Sequence, residues 1–195
     1  MSLATAKSGK LLYHLTKFSN LESILAEGLL SRSLLLEDQI NFEDVADNEI
    51  INKRTRMRLD RYVPFHFHPY SAFDYAVKNS HDEEFIYICI SRDFAKNNDF
   101  KILPLHPLTT ASTCDIYEYS EGFNLIDWEA MSQKGNHDAY VKNVKMAECL
   151  SEEIVDANDF YCIYVRDEGL VESVIELLEE YGLENIINVY TAQWI

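Results

Sequence analysis

Apolar runs typical of β-strands and amphipathic segments typical of helices occur in mixed order along this chain. The clearest strand segments are KLLYHLT, FIYICI and FYCIYVR, at residues 10–16, 85–90 and 160–166. The clearest helix covers residues 170–181 and ends before Gly182. These elements do not form a repeating strand–helix–strand unit, and no glycine-rich phosphate loop follows a strand. The order therefore predicts a single α+β domain rather than a doubly wound parallel sheet.

The remaining elements are less sharply marked. Ser19 and Glu22 have the spacing of a capping box for a helix that stops at Gly28. The polar, weakly periodic residues 34–61 predict a long functional loop with some helix. Further strands are predicted at 62–67, 101–106, 114–119 and 186–191, and further helices at 71–79, 124–133 and 138–150.

The composition narrows the class of protein. A chain of 195 residues with 47% apolar and 26% charged residues is globular, which excludes disordered and fibrous classes. No apolar run approaches the roughly 18–20 residues that cross a bilayer, and residues 1–10 lack the apolar core of a signal peptide. The four cysteines have no short spacing that would suit a metal knuckle or a disulfide framework. We therefore expect a reduced, cytoplasmic protein with no membrane segment.

The charge is unevenly distributed. A net charge of −16 argues against a protein that coats nucleic acid by bulk charge. Residues 146–195 hold twelve acidic residues and one basic residue, whereas residues 53–61 hold five of the 17 basic residues of the chain. Such a basic run is either an ordinary solvated face or a local site for an anion, and the sequence alone leaves both interpretations open.

The first predicted strand carries two candidate ligand-binding residues. His14 and Thr16 alternate with Leu15, so their side chains lie on the same face of the strand. The strand leads into a helix N-terminus near residues 20–23, where free amides favour an anion such as a pyrophosphate. The alternative is that His14 is an ordinary core histidine whose hydrogen bonds are satisfied within the protein.

Other candidate residues are weaker when taken singly. Arg54 lies in the basic run and can hold a phosphate or carboxylate through two hydrogen bonds. His66 and His68 share one face of an extended segment as a candidate metal pair, but no third ligand is indicated. Glu148 lies among apolar neighbours on a predicted helix. Each of these residues has an ordinary structural interpretation as well.

Five segments nevertheless occur in a meaningful order. They are YHLTKFSNLESILAEGLLSR at 13–32, IINKRTR at 50–56, YVPFHFHPYS at 62–71, LIDW at 125–128 and VKMAECL at 144–150. Together they resemble the DarT family, the DNA ADP-ribosyltransferase toxins of toxin–antitoxin systems. The resemblance implies an extension over residues 1–9 and one ADP-ribosyltransferase domain over residues 10–195. It also implies a split, bent β-sheet with flanking helices and a cofactor cleft between its halves.

The resemblance also implies roles for individual residues. Arg54 matches the family's catalytic arginine, with Arg56 as the alternative if the register slips, and Glu148 matches its catalytic glutamate. In that role Glu148 stabilises positive charge on the ribose, while Arg54 holds the NAD phosphates or polarises the acceptor base. The implied NAD-binding residues are His14, Thr16, Asn20, Ser23, Leu30, Arg54 and Tyr75. Residues 112–148 correspond to the loop that presents the DNA.

The sequence departs from the family where the substrate would be read. Tyr70 replaces a usual arginine, His68 replaces an aromatic or small residue, and GNHD at residues 135–138 replaces a more aromatic segment. These departures leave the NAD chemistry intact and leave the target base open.

The basic run has two interpretations in the light of this resemblance. Arg56, Arg58 and Arg61 are expected to bind the phosphates of single-stranded DNA beside the cleft. In the competing interpretation, these side chains pair with the acidic residues at 37–49 and hold the loop closed.

The implied activity is the transfer of ADP-ribose from NAD to a base of single-stranded DNA. No metal is needed, because nicotinamide leaves as a neutral molecule, and a macrodomain-type antitoxin is a possible partner. Two alternatives remain: a catalytically silent member that binds a nucleotide or a partner, and an NAD-dependent transferase that acts on protein or RNA.

Overall fold

The computed structural model describes residues 6–45, 48–69, 71, 74, 77, 84–106, 115–134 and 138–192. Within these residues eight strands form one sheet, in the order β5-β4-β6-β2-β1-β3-β7-β8. The β7–β8 pair is parallel and every other neighbouring pair is antiparallel. The strands are β1 Leu11–Lys17, β2 Val63–His66, β3 Phe85–Ser91, β4 Lys101–Leu103, β5 Tyr117–Glu118, β6 Glu148–Ser151, β7 Cys162–Val165 and β8 Asn188–Thr191.

The sheet consists of two groups of strands that meet at a narrow join. β1 pairs with β3 over its whole length, from Leu11 opposite Ser91 to Lys17 opposite Phe85. In contrast, β1 pairs with β2 only where Tyr13 lies opposite His66. This narrow join corresponds to the split expected from the sequence, although hydrogen bonding continues across it as one sheet. The predicted α+β class is confirmed.

The helices pack around this sheet, and side-chain caps fix the start of several of them. They are α1 Leu21–Glu27, α2 Arg32–Glu37, α3 Asn48–Arg56, α4 Arg92–Asn97, α5 Tyr119–Leu125, α6 Trp128–Ser132, α7 Ala139–Lys145 and α8 Glu168–Glu180. Asp138 accepts a hydrogen bond from the backbone N–H of Val141, and Asp167 accepts one from that of Leu170. Such caps satisfy amides that have no partner within the helix. None of the helices within the described ranges is long and apolar enough to cross a membrane.

The start of the chain follows the predicted pattern, with one correction. The helix does stop at Gly28, where φ is +83° and an added Cβ would lie 2.8 Å from the Val155 carbonyl oxygen. The predicted capping box does not form, because Ser19 lies in a 3-10 turn and Asn20 is the N-cap without a capping hydrogen bond from its side chain. The side-chain amide of Asn20 instead forms hydrogen bonds with Glu43 and Thr16.

The largest difference concerns residues 138–150, which were predicted to form one helix. The helix ends at Lys145, and Glu148–Ser151 form the buried strand β6 between β2 and β4. A short buried apolar run has no periodicity that separates strand from helix, which explains the error. The predicted helix at 124–133 is likewise divided, because Asp127 caps a new helix by accepting from Ala130 N–H. Of the predicted helix at 71–79, only residues 71, 74 and 77 are described.

Candidate active site

A cavity of about 220 Å³ opens at the narrow join between β1 and β2. Its walls come from these two strands, α1, the segment 40–45, α3 and the first residue of β6. Most of the site residues expected from the sequence line this cavity: His14, Thr16, Asn20, Ser23, Leu30, Arg54 and Glu148. The fold thus brings together residues from distant parts of the chain.

Arg54 and Glu148 form an ion pair in the wall of the cavity. Arg54 Nη1 donates to Glu148 Oε1 at 2.7 Å, which links the end of α3 to the start of β6. The Glu148 side chain is 5% exposed and that of Arg54 is 18% exposed. Burial acts to raise the pKa of Glu148, but the charge and hydrogen bond of Arg54 outweigh it, with help from His66 and His106. The net effect is a pKa below the ordinary value, so Glu148 is a carboxylate.

Each member of this pair keeps one polar atom unused. Arg54 Nη2 and Glu148 Oε2 are both buried and have no hydrogen-bond partner among the residues that the structure describes. Buried polar atoms of proteins are almost always paired, and an unpaired one is costly. Both residues line the cavity, so a ligand bound there is a candidate partner for this donor and this acceptor.

His14 satisfies one ring nitrogen within the protein. Its Nδ1–H donates to the Pro64 carbonyl oxygen at 2.8 Å, across the join between β1 and β2. Burial is the main cause that lowers the pKa of His14, to about 4, so the ring is neutral at physiological pH. The interpretation of His14 as a satisfied core histidine thus holds for one nitrogen, while the ring also lines the cavity.

Asn20 holds a neighbouring segment of the cavity wall. Its Oδ1 accepts from the backbone N–H of Glu43 at 2.9 Å, and its Nδ2 donates to the Glu43 carbonyl oxygen at 2.9 Å. The same Nδ2 lies 3.2 Å from Thr16 Oγ1, and Lys17 Nζ donates to Glu43 Oε2 at 2.9 Å. Asn20 and Thr16 therefore fasten the segment 40–45 to β1, and we call this set of contacts the Asn20 clasp.

Two histidines that the sequence did not assign to the NAD site also line the cavity, His66 and His106. His66 lies directly opposite Glu148 in the β2–β6 pair, and its Nδ1 is buried without a partner among the described residues. His68 does not line the cavity. Burial and nearby positive charges lower the pKa of His68 to about 3. Within the described parts of the chain, no three His, Cys, Asp or Glu residues are grouped so as to hold a metal.

The basic run is only partly neutralised by acidic neighbours. Arg61 pairs with Glu152, and Lys53 pairs with Glu49 at 2.7 Å. Arg56 and Arg58 are exposed and form no ion pair with any residue in the described ranges. Pairing with the acids at 37–49 therefore accounts for Lys53 alone among these bases. None of the three arginines Arg56, Arg58 and Arg61 lines the cavity, which favours Arg54 over Arg56 as the arginine of the site.

Several residues considered in the sequence lie outside the described part of the structure. They are Tyr70, Tyr75, 112–114 and 135–137. The described rest of the expected DNA-presenting loop contains β5, α5, α6 and α7 and ends at the first residue of β6.

A family model, a curated relative and solved structures all relate this chain to the same protein family. Residues 13–195 match the family model described as DarT, ssDNA thymidine ADP-ribosyltransferase. A curated relative from Thermosipho africanus, a DNA ADP-ribosyl transferase–DNA ADP-ribosyl glycohydrolase fusion protein, is 28% identical over 174 residues. That alignment covers 84% of this chain but only 44% of the relative, so this chain spans less than half the length of that fusion protein.

Solved structures share the fold at low identity. Thermus sp. 2.9 DarT in complex with ADP-ribosylated ssDNA superposes with a TM-score of 0.82 at 20% identity, covering 96% of each chain. Thermosipho africanus DarTG in complex with ADP-ribose superposes with a TM-score of 0.74 at 23% identity, covering 93% of this chain and 50% of the other. Thermus sp. 2.9 DarT in complex with NAD+ gives a TM-score of 0.76 at 19% identity, covering 95% of this chain and 96% of that one.

Proposed function

Since the chain belongs to the DarT family, we propose that it transfers ADP-ribose from NAD to a thymidine base of single-stranded DNA. The observation that carries this proposal is the buried Arg54–Glu148 pair, which lines the cavity and leaves one donor and one acceptor without a partner among the described residues. Residues that served only the core would leave no such atoms unpaired.

Glu148 stabilises the charge that develops during the reaction. Cleavage of the bond between nicotinamide and ribose C1′ places positive charge on the ribose, as in glycoside hydrolysis. A carboxylate that is 5% exposed acts on this charge with little screening by water. Its unused Oε2 is suited to accept a hydrogen bond from a ribose hydroxyl.

Arg54 has two tasks in this proposal. Its hydrogen bond fixes the orientation of Glu148 and its charge keeps that carboxylate ionised. Its unused Nη2 is a donor for a phosphate oxygen of NAD or for a carbonyl oxygen of the acceptor base. Ion pairing between the two side chains thus leaves both of them able to bind substrate.

The rest of the cavity wall would hold NAD. His14, Thr16, Ser23 and Leu30 line the cavity and are proposed to contact NAD, with Asn20 contributing through the Asn20 clasp. Tyr75 is added to this set by the family resemblance alone.

Single-stranded DNA would be held beside the cavity. Arg56 and Arg58 are exposed and not used in ion pairs within the described residues, which suits contacts with DNA phosphates. Arg61 would contribute once it exchanges Glu152 for a phosphate. The acceptor must be single-stranded because pairing hides the reactive edge of a base.

Three further proposals concern the setting of the enzyme. We propose that residues 10–195 form the catalytic domain, with 1–9 as an extension, and that the protein acts in the cytoplasm, where the thiols of Cys89, Cys149 and Cys162 would stay free. The Thermosipho africanus relative joins a transferase to a glycohydrolase in one chain. We propose that a macrodomain-type antitoxin that removes the same modification is the partner of this chain.

The test is incubation of the protein with NAD and a panel of single-stranded oligonucleotides that differ in base, followed by mass spectrometry. We expect a mass gain of one ADP-ribosyl group only on strands that contain thymine. RNA and protein acceptors form parallel arms, because the net charge of −16 does not by itself favour DNA as the acceptor. Modification of these acceptors alone, or NAD binding without transfer to any of them, would refute the proposal.

A further inference from the structure

His66 has a buried ring nitrogen that nothing in the described structure uses. The residue ends β2, lies opposite Glu148 of β6 and lines the cavity. Residues that face each other directly in an antiparallel pair have Cβ atoms about 4.5–5.5 Å apart on one face of the sheet. The imidazole of His66 therefore lies beside the carboxylate of Glu148. Like Arg54 Nη2 and Glu148 Oε2, His66 Nδ1 is buried without a hydrogen-bond partner among the described residues.

The proposed reaction requires a group that accepts a proton. Thymine in DNA carries one ring N–H, and bond formation at that nitrogen displaces its proton. Two other side chains that line the cavity, Glu148 and His14, are weak bases. Arg54 holds the pKa of Glu148 below its ordinary value. His14 already donates through Nδ1 to Pro64, and burial lowers its pKa to about 4.

The other charged or titratable side chains around His66 are not suited to accept this proton. Burial also lowers the pKa of His106, which couples to His66 electrostatically. His68 also interacts electrostatically with His66, but His68 does not line the cavity. The nearby cation, Arg54, has no proton-accepting atom. Of these neighbours, Glu148 alone carries negative charge, and it attracts an imidazolium formed on His66.

We infer that His66 is the catalytic residue that takes the proton from the acceptor base, through Nδ1. This inference rests on the proposed function and adds a residue to it. The bond from ribose C1′ to nicotinamide breaks, and its electron pair leaves with the neutral nicotinamide. A new bond forms from C1′ to the base nitrogen, the N–H proton moves to His66 Nδ1, and His66 later releases it to water. Glu148 stabilises both the ribose cation and the imidazolium that follows it.

The test compares His66→Asn and His66→Ala with the wild-type protein. Asparagine places a polar atom near the position of Nδ1 but cannot act as a base, so it separates proton transfer from hydrogen bonding. The measurements are the single-turnover rate of transfer to a thymine oligonucleotide, the KM for NAD, and NAD hydrolysis without DNA. Thermal unfolding and the shift produced by NAD show whether each variant folds and binds.

We expect both variants to lose on the order of 100-fold or more in the transfer rate, the usual contribution of a general base. Transfer should fall much further than NAD affinity or DNA-independent hydrolysis, because water that reaches the ribose cation gives its proton to bulk solvent.

Three results would overturn the inference. Wild-type transfer by His66→Asn would mean that His66 acts only as a hydrogen-bonding group. A parallel fall in transfer, hydrolysis and NAD affinity would mean that His66 holds NAD. No transfer by the wild-type protein would refute the proposed function itself, and the inference with it.

Discussion

Removing either partner of the Arg54–Glu148 pair should have unequal effects on stability, because the two side chains are buried to different degrees. Glu148 is 5% exposed, whereas Arg54 is 18% exposed and lies at the end of a surface helix. In Arg54→Met the carboxylate is left buried without its partner, which typically costs about 3–5 kcal/mol. In Glu148→Gln the amide still accepts a hydrogen bond and Arg54 can turn toward water, so we expect a cost of about 1–2 kcal/mol.

The unfolding free energy should change with pH in opposite directions in the wild-type protein and in Arg54→Met. In the wild-type protein the folded-state pKa of Glu148 lies below its ordinary value of 4.5. The stability from the pair is therefore present above about pH 4.5 and is lost as pH falls through the folded-state pKa. Without Arg54, burial is the largest influence and raises that pKa above 4.5. The stability of Arg54→Met should then decline as pH rises through the raised value.

Urea titrations of the two single variants and of Arg54→Met/Glu148→Gln, at pH 5 and at pH 8, measure these effects. The double variant has neither charge and should be nearly as stable as the wild-type protein, since apolar or neutral replacements of buried pairs are often tolerated. The deficit of Arg54→Met should be larger at pH 8 than at pH 5, and that of Glu148→Gln should be the same at both. Equal costs for the two single variants at both pH values would refute the argument from burial.

Three further predictions concern activity. Glu148→Gln should lower the rate of ADP-ribose transfer by on the order of 10²–10³ with NAD binding retained, as shown by kinetics and by the thermal shift with NAD; loss of binding instead would contradict its role in the transition state. Asn20→Ala removes the hydrogen bonds to Glu43, so it should raise the KM for NAD and speed amide hydrogen exchange in the segment 40–45. Unchanged exchange would show that the Asn20 clasp is dispensable. Arg56→Glu with Arg58→Glu should weaken DNA modification and flatten its salt dependence, with the KM for NAD as the control; unchanged modification across a salt series would exclude a DNA-binding role.

The sequence was informative wherever local pattern and family motif agreed. The strand with His14 and Thr16 followed by a helix that ends at Gly28 was predicted, and these two residues line the cavity. Arg54 and Glu148 could be named only through motif resemblance, because 94 residues separate them and nothing local links a surface helix to a strand. In the structure, Arg54 Nη1 lies 2.7 Å from Glu148 Oε1 and donates a hydrogen bond to it.

What the sequence missed depends on pairing between distant strands. His66 was considered only with His68, because period-two alternation places both on one face. Its position opposite Glu148 follows from the β2–β6 register, which no local pattern reveals. Glu148 itself was placed on a helix because the four-residue strand ECLS is too short to show a strand periodicity. Asn20 was expected to contact NAD, and its actual hydrogen bonds to Glu43 depend on how the segment 40–45 folds back.

The strand pairing of β1 with β2 is limited to one residue pair, and this has a mechanical consequence. A sheet resists bending through its cross-strand hydrogen bonds, and Pro64 in β2 has no N–H to contribute to them. Flexural stiffness is therefore lowest along the line where the cavity lies, and the two groups of strands can rotate slightly against each other with little loss of hydrogen bonding. A ligand that bridges Thr16 on one side and Glu148 on the other would act as a brace across this line, so its binding should slow amide hydrogen exchange in strands of both groups.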